Sequence, residues 1–213
     1  MRAVTRREED APLVSGAELD ATSARVLDAA VQVLVDFGFK RATVDLVAKY
    51  AGVSHMTVYR RWPAKNELLR AAVLREFSAV FDAAIRHVDD RGTFEAKVIG
   101  AFTAVVWSVR NHPLMTRELK IEPETVLPFL TTSSGPAMQT ALAFVADRLR
   151  GWAQASGLEL DDPEALADIV VRLAHSVLLV PQPTRPLDTR IDIENYAQRY
   201  LGPLTRSALG VDV

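Results

Sequence analysis

Residues 42–62 constrain the fold of this chain most, because they indicate two short helices joined by a tight turn. Thr43 suits an N-cap, since its hydroxyl can accept a hydrogen bond from an unpaired backbone N–H at the start of a helix. Gly52 can take the left-handed conformation that ends a helix, and Ser54 can cap the next one. Two helices joined by a glycine-containing turn form a helix-turn-helix, whose second helix enters the major groove of DNA.

The residues after the second helix favour DNA as the partner. Arg60 and Arg61 follow directly, and Lys65 stands near the start of the next helix, where backbone N–H groups already attract anions. The alternative is an ordinary pair of short helices with polar exposed side chains. Three basic side chains beside such a pair predict contacts with the phosphates of DNA.

Position along the motif divides the predicted DNA contacts into two groups. The first turn of the second helix points into the groove, so base contacts are predicted for His55, Met56 and Thr57. An inward position beside Val58 is the alternative for Met56. The other predicted contacts hold the DNA backbone or support the motif, and they are Ser23, Arg25, Thr43, Ser54, Tyr59, Arg60, Arg61 and Lys65.

A wider set of residues matches a known family. The set comprises Ala29, Ala30, residues 37–39, Thr43, Ala48, residues 51–54, residues 57–59, Trp62, Lys65, Leu68 and Leu69. With this pattern, residues 22–70 resemble the DNA-binding domain of TetR-family transcriptional regulators. Met56 and Ala64 depart from the family pattern, and alanine in a capping position should weaken the start of the next helix by about 1 kcal/mol. The resemblance implies a C-terminal helical domain with a pocket for a small-molecule effector.

The 213-residue chain has a net charge of −2, which is unevenly distributed. Residues 22–70 carry eight Lys and Arg against four Asp and Glu, whereas residues 71–213 carry fourteen against eighteen. This balance is typical of a protein that places only one end on DNA. The absence of cysteine excludes disulfides and thiolate zinc sites. The apolar runs are too short to cross a bilayer, so no membrane contact and a cytoplasmic location are expected.

Apolar residues recur at helical spacing along the chain, and no alternating strand pattern occurs. The prediction is therefore an all-α fold of about nine helices. Residues 1–21 are predicted to be a flexible arm, and residues 22–70 a three-helix helix-turn-helix domain. Residues 71–213 are predicted to form a larger helical domain for effector binding and dimerisation.

Two further sites are predicted in the C-terminal helices. The prolines of residues 113–134 interrupt the helices and can leave a cavity, with a predicted lining of Phe77, Phe81, Trp107, His112 and Met115. Each of these side chains could equally belong to the core. A homodimer is expected because a two-fold operator needs two copies of the motif. Its predicted interface comprises Leu173, Val177, Tyr196, Tyr200 and Leu204, although these stripes could instead close the core of one chain.

Three functions are compatible with these patterns. The favoured one is a transcriptional regulator, expected to be a repressor that a small apolar ligand releases from a palindromic operator. The large acidic C-terminal part disfavours an architectural DNA-binding protein, and the basic helix-turn-helix disfavours a helical enzyme. The four histidines lack metal-binding spacing, and no phosphate loop or nucleophile elbow occurs. No metal, cofactor or catalytic residue is therefore predicted.

Overall fold

A computed structural model of the chain describes residues 20–86, 88, 92–121, 123–124, 127, 131, 135–180 and 186–210. The predicted arm lies outside these ranges except for its last two residues. Residues 181–185 and His87 also lie outside them.

The described residues contain nine helices and no strand, which confirms the all-α prediction. They are α1 (Ala21–Arg41), α2 (Val44–Ala51), α3 (His55–Tyr59), α4 (Lys65–Ile85), α5 (Phe94–Arg110), α6 (Pro113–Ile121), α7 (Gly135–Ala155), α8 (Pro163–Leu179) and α9 (Arg190–Ser207).

Most helix starts follow the local chemistry of the sequence. The side chains of Thr43, Thr93 and Asp162 each accept a hydrogen bond from a backbone N–H in the first turn of α2, α5 and α8. In α9, Thr189 and Asp192 form a reciprocal capping box. Ala64 provides no side-chain cap for α4, as its sequence indicates.

The first helix begins one residue before the predicted domain of residues 22–70. It starts at Ala21 with Asp20 as its N-cap. Gly38 interrupts the helical geometry with φ 80° and ψ 168°, and a final turn then extends to Arg41. Gly38 is thus a kink and not the end of the helix, because glycine permits the positive φ and the chain then returns to helical geometry.

Two clusters of buried side chains form the core. The N-terminal cluster joins residues of α1 to α4 and also includes Leu114 of α6. The C-terminal cluster joins residues of α5, α7, α8 and α9. Helix α6 therefore packs on the N-terminal helices although it lies far along the chain.

Helix α4 connects the two clusters. Its first half buries Leu68 and Leu69 in the N-terminal cluster, and Arg75 donates to the carbonyl oxygen of Ala24 at 2.9 Å. Its second half approaches α7, where Asp82 lies 3.8 Å from the Arg148 guanidinium. A movement of α4 would therefore change its contacts with the N-terminal cluster and with α7.

Candidate nucleic-acid interface

The helix-turn-helix is built from helices α2 and α3. Gly52 ends α2 in the left-handed conformation, with φ 62° and ψ 38°. Ser54 then starts α3, because its hydroxyl accepts the backbone N–H of Thr57 at 3.1 Å. The capping roles predicted for Thr43 and Ser54 and the left-handed conformation predicted for Gly52 are thus confirmed.

One side of α3 is anchored and the other is open. Val58 is fully buried in the N-terminal cluster, and Tyr59 is half-buried against it. Met56 is 73% exposed, so the alternative of an inward Met56 is wrong. His55 is also exposed, and Thr57 is half-buried with its hydroxyl 2.8 Å from that of Ser54.

His55 is held by two neighbours. Its Nε2 atom lies 3.6 Å from the Asp45 carboxylate of α2. Its ring contacts the Tyr59 ring, with centroids 4.4 Å apart and an angle of 57° between the planes. Tyr59 thus supports His55 from within α3, in addition to any contact with the DNA backbone.

The predicted phosphate-binding side chains differ in their exposure and in their hydrogen bonds. Arg25 and Arg60 are exposed at the surface of the N-terminal helices. Lys65 Nζ donates to the carbonyl oxygen of Phe39 at 3.1 Å, next to the kink in α1. One of its three ammonium protons is thereby used within the chain, and two are left for other acceptors.

Ser23 and Arg61, which were predicted as phosphate contacts, bind each other. Ser23 is buried, and its hydroxyl accepts from Arg61 Nε at 2.9 Å. Arg61 Nη2 also donates to Asp20 Oδ2 at 3.0 Å. In the described structure these two side chains face each other, because the turn that follows α3 lies next to the start of α1.

Asp20 and Asp45 are absent from the sequence-based set of interface residues. Asp20 had been assigned to the arm, yet its carboxylate accepts the Ser23 backbone N–H at 2.7 Å. That N–H bond, and then the neighbouring Arg61, hold the pKa of Asp20 below its usual value. An acidic residue directly before Ala21 was the available signal for a cap; nothing local pointed to the pairing of Asp45 with His55.

Some of the residues predicted for the effector site lie close together. The Phe77 ring lies 5.5 Å from the His112 ring and 6.5 Å from the Phe81 ring, measured between centroids. Met115 is buried, whereas Trp107 is half-buried against the C-terminal cluster.

His112 joins helix α4 to the start of α6. Its Nε2 atom lies 3.0 Å from Glu76 Oε1. Its Nδ1 atom is buried and has no hydrogen-bond partner among the described residues. A buried nitrogen without a partner carries a desolvation cost, so it is an available hydrogen-bonding group for a molecule bound beside Phe77.

The predicted dimer residues differ in exposure. Tyr200 and Leu204 are exposed on α9, and the Tyr196 ring stacks against Tyr200 with centroids 4.8 Å apart. Leu173 is half-buried against the C-terminal cluster. Val177 is only 4% exposed because it belongs to that cluster, which leaves it little surface for a partner. For Val177 the alternative of core closure describes the structure.

Further exposed apolar side chains are Ile169 of α8, Val180 at the C-cap of α8, and Ile191 of α9. No group of three or more metal-ligating side chains occurs among the described residues. Within the same ranges, no helix is long and apolar enough to cross a membrane.

Comparison with known proteins places these features in context. Residues 26–72 match the sequence profile described as bacterial regulatory proteins, tetR family. An uncharacterized HTH-type transcriptional regulator of Mycobacterium bovis is 29% identical over 157 residues, which are 74% of this chain and 80% of that protein. The DNA-binding transcriptional repressor TetR of Mycobacteroides abscessus is 44% identical over 54 residues, which are 25% of this chain and 28% of that protein.

The fold is also similar to that of solved structures. The crystal structure of the TetR family repressor AlkX from Dietzia sp., implicated in biodegradation of n-alkanes, superposes with a TM-score of 0.66. The two chains are 21% identical, and the match covers 88% of this chain and 96% of that one. This likeness extends the shared architecture beyond the helix-turn-helix to the C-terminal helices.

Proposed function

We propose that this chain, a TetR-family transcriptional regulator and not an enzyme, represses transcription by binding a palindromic operator as a homodimer. A small apolar ligand releases it from that operator. In this proposal residues 22–70 read the DNA, and residues 71–213 bind the effector and the partner subunit. Asp20 and Ala21 belong with the first of these units, since they begin α1.

One observation carries the DNA-binding part of the proposal. Helix α3 presents His55 and Met56 to solvent while Val58 fixes it to the core. An anchored helix with exposed hydrogen-bonding and apolar side chains suits the base edges of the major groove. Those edges offer hydrogen-bond donors, acceptors and thymine methyl groups. Arg60 at the C-cap of α3 and Arg25 of α1 are exposed and can supply charge for phosphates.

The base contacts are assigned to His55, Met56 and Thr57. His55 can donate to guanine, and the Met56 side chain can pack on a thymine methyl group. Lys65 adds a point charge, because two of its ammonium protons are left after its bond to Phe39.

The homodimer is supported by the surface of α8 and α9. Tyr200 and Leu204 expose apolar area one turn apart on α9, and Ile169 and the C-cap residue Val180 do so on α8. Exposed apolar side chains on both helices suit an interaction site, and a second copy supplies the second half-site. Two recognition helices about 34–36 Å apart would meet successive turns of the major groove.

The effector site is supported by the junction of α4, α5 and α6. Phe77 and Phe81 offer apolar area, and His112 Nδ1 lacks a partner among the described residues. A ligand that is mainly apolar and carries one polar group fits this combination. Since Glu76 and Phe77 of α4 both contact His112, a ligand there displaces α4 and with it the recognition helix.

The proposal includes a cytoplasmic location, because a regulator acts where the DNA is. Its test is protection of DNA flanking the gene by the purified protein, with binding measured as a function of salt concentration. His55→Ala should change the preferred sequence, whereas Lys65→Ala should weaken all sequences similarly and lower the salt slope by about one unit per subunit. Binding without sequence preference, and without a response to apolar ligands, would indicate an architectural protein instead.

A further inference from the structure

We propose that Arg61 is a positioning residue, which fastens the recognition helix to the start of α1 through Ser23 and Asp20 and does not bind a DNA phosphate. This inference rests on the proposed DNA-binding function. It departs from the pattern of the sequence, in which Arg60 and Arg61 are equivalent basic residues beside the motif.

The first argument is the number of bonds that Arg61 makes within the chain. Nε donates to the Ser23 hydroxyl at 2.9 Å, and Nη2 donates to Asp20 Oδ2 at 3.0 Å. Nη1 lies 3.4 Å from the carbonyl oxygen of Thr57. Each nitrogen of the guanidinium is therefore engaged, and the side chain is only 22% exposed. Releasing it to a phosphate would break three contacts to form one or two.

The second argument is the charge at this place. The Asp20 carboxylate already occupies the anion position at the start of α1, where it accepts the Ser23 backbone N–H at 2.7 Å. A phosphate oxygen arriving beside Arg61 would face this carboxylate across the shared guanidinium. Among the described residues Arg60 forms no ion pair with an acidic side chain, and it is exposed, so it is the arginine that suits the DNA backbone.

The third argument is the need of helix α3 for an anchor. It has five residues, and an isolated helix shorter than about 12 residues is marginal in water. Val58 is the buried residue within it, and Arg61 ties the turn that follows to α1. The contact spans 38 positions in sequence, so it fixes the angle of the recognition helix against the rest of the domain.

The adjacent arginines provide a matched pair of variants for the test. Operator affinity would be measured across a series of salt concentrations for the whole protein and for Arg60→Ala and Arg61→Ala. Arg60→Ala should lower the salt slope by about one unit per subunit, because one phosphate contact is lost. Arg61→Ala should weaken binding by about tenfold at every salt concentration, because the hydrogen bonds that Arg61 donates within the chain are lost. The salt slope should stay unchanged, because no phosphate contact is lost.

Asp20→Asn provides a second, independent variant. Asparagine still caps a helix, so α1 keeps its start while the ion pair to Arg61 is removed. A positioning role predicts weaker operator binding and faster amide hydrogen exchange in α3. In an Arg61→Ala background, Asp20→Asn should then have no further effect on affinity.

Two results would overturn the inference. One is a fall in salt slope for Arg61→Ala as large as that for Arg60→Ala. The other is tighter binding by Asp20→Asn, which would show that Asp20 competes with a phosphate for Arg61. Failure of the wild-type protein to prefer any operator would instead refute the proposed function, and the inference with it.

Discussion

Val58→Ala should loosen the recognition helix without touching the DNA-reading side chains. Val58 is 0% exposed and belongs to the N-terminal cluster, which also contains residues of α1, α2 and α4. Because α3 has only five residues, this side chain is its main apolar attachment. Its truncation should raise the population in which α3 is detached from the domain.

The magnitude follows from the two methyl groups that are removed. Each buried methylene-sized group contributes about 0.8 kcal/mol, so the transfer term is about 1.6 kcal/mol. The cavity left in a packed core adds to this, which brings the expected loss to about 2–3 kcal/mol in the free energy of unfolding. If the whole loss appears as detachment of α3, operator affinity should fall by about 30- to 140-fold per subunit, since 1.4 kcal/mol is a factor of ten.

Met56→Ala is the matched control, since Met56 lies in the same helix and is 73% exposed. Urea denaturation would give the free energy of unfolding of both variants, and amide hydrogen exchange would report the opening of α3. Met56→Ala should leave stability within about 0.5 kcal/mol of the wild type and alter the preferred base sequence. Equal stability losses in the two variants, or unchanged exchange in α3 of Val58→Ala, would refute this division of the helix.

Three further predictions concern other contacts. Asp45→Asn should change the base that His55 prefers, because the carboxylate 3.6 Å from Nε2 is neutralised. The control Glu67→Gln should leave that preference unchanged. Identical binding profiles for the two variants would contradict this role of Asp45. Leu204→Glu should convert the dimer to monomers in analytical ultracentrifugation, and a wild-type protein that sediments as a monomer would contradict the dimer. Glu76→Gln should lower the free energy of unfolding by about 1 kcal/mol through its weaker bond to His112, and an unchanged denaturation midpoint would exclude this contribution.

A substitution at Val177 would not test the dimer interface, although the sequence pattern places Val177 there. Its spacing on α8 is the same as that of an interface stripe, yet it is 4% exposed within one chain. A charged residue at Val177 would disrupt the core of the monomer, so loss of the dimer would not identify the interface. Tyr200 and Leu204 are the appropriate positions because they are exposed.

The parts of the fold that sequence predicts well are local in origin. Gly52, Thr43 and Ser54 define the turn between α2 and α3 because each acts on backbone groups within a few residues. The all-α class follows in the same way from helical spacing of apolar residues. These signals need no knowledge of distant partners.

The parts that sequence misses depend on contacts between distant segments. Arg61 meets Asp20 across 41 positions, and no pattern distinguishes it from its neighbour Arg60. The burial of Leu114 with the N-terminal helices is likewise a property of how α6 packs, since its own sequence is compatible with either cluster. Exposure of Met56 was also undecided, because a five-residue helix is too short for a clear apolar face.

The central claim is that this protein reads a two-fold symmetric DNA sequence with two copies of α3. The most direct measurement is selection of bound duplexes from a random library by the purified protein, followed by sequencing of the enriched DNA. The account predicts an inverted repeat whose half-site centres are one helical turn, or a multiple of it, apart. Enrichment of a single unpaired half-site, or no enrichment at all, would contradict it.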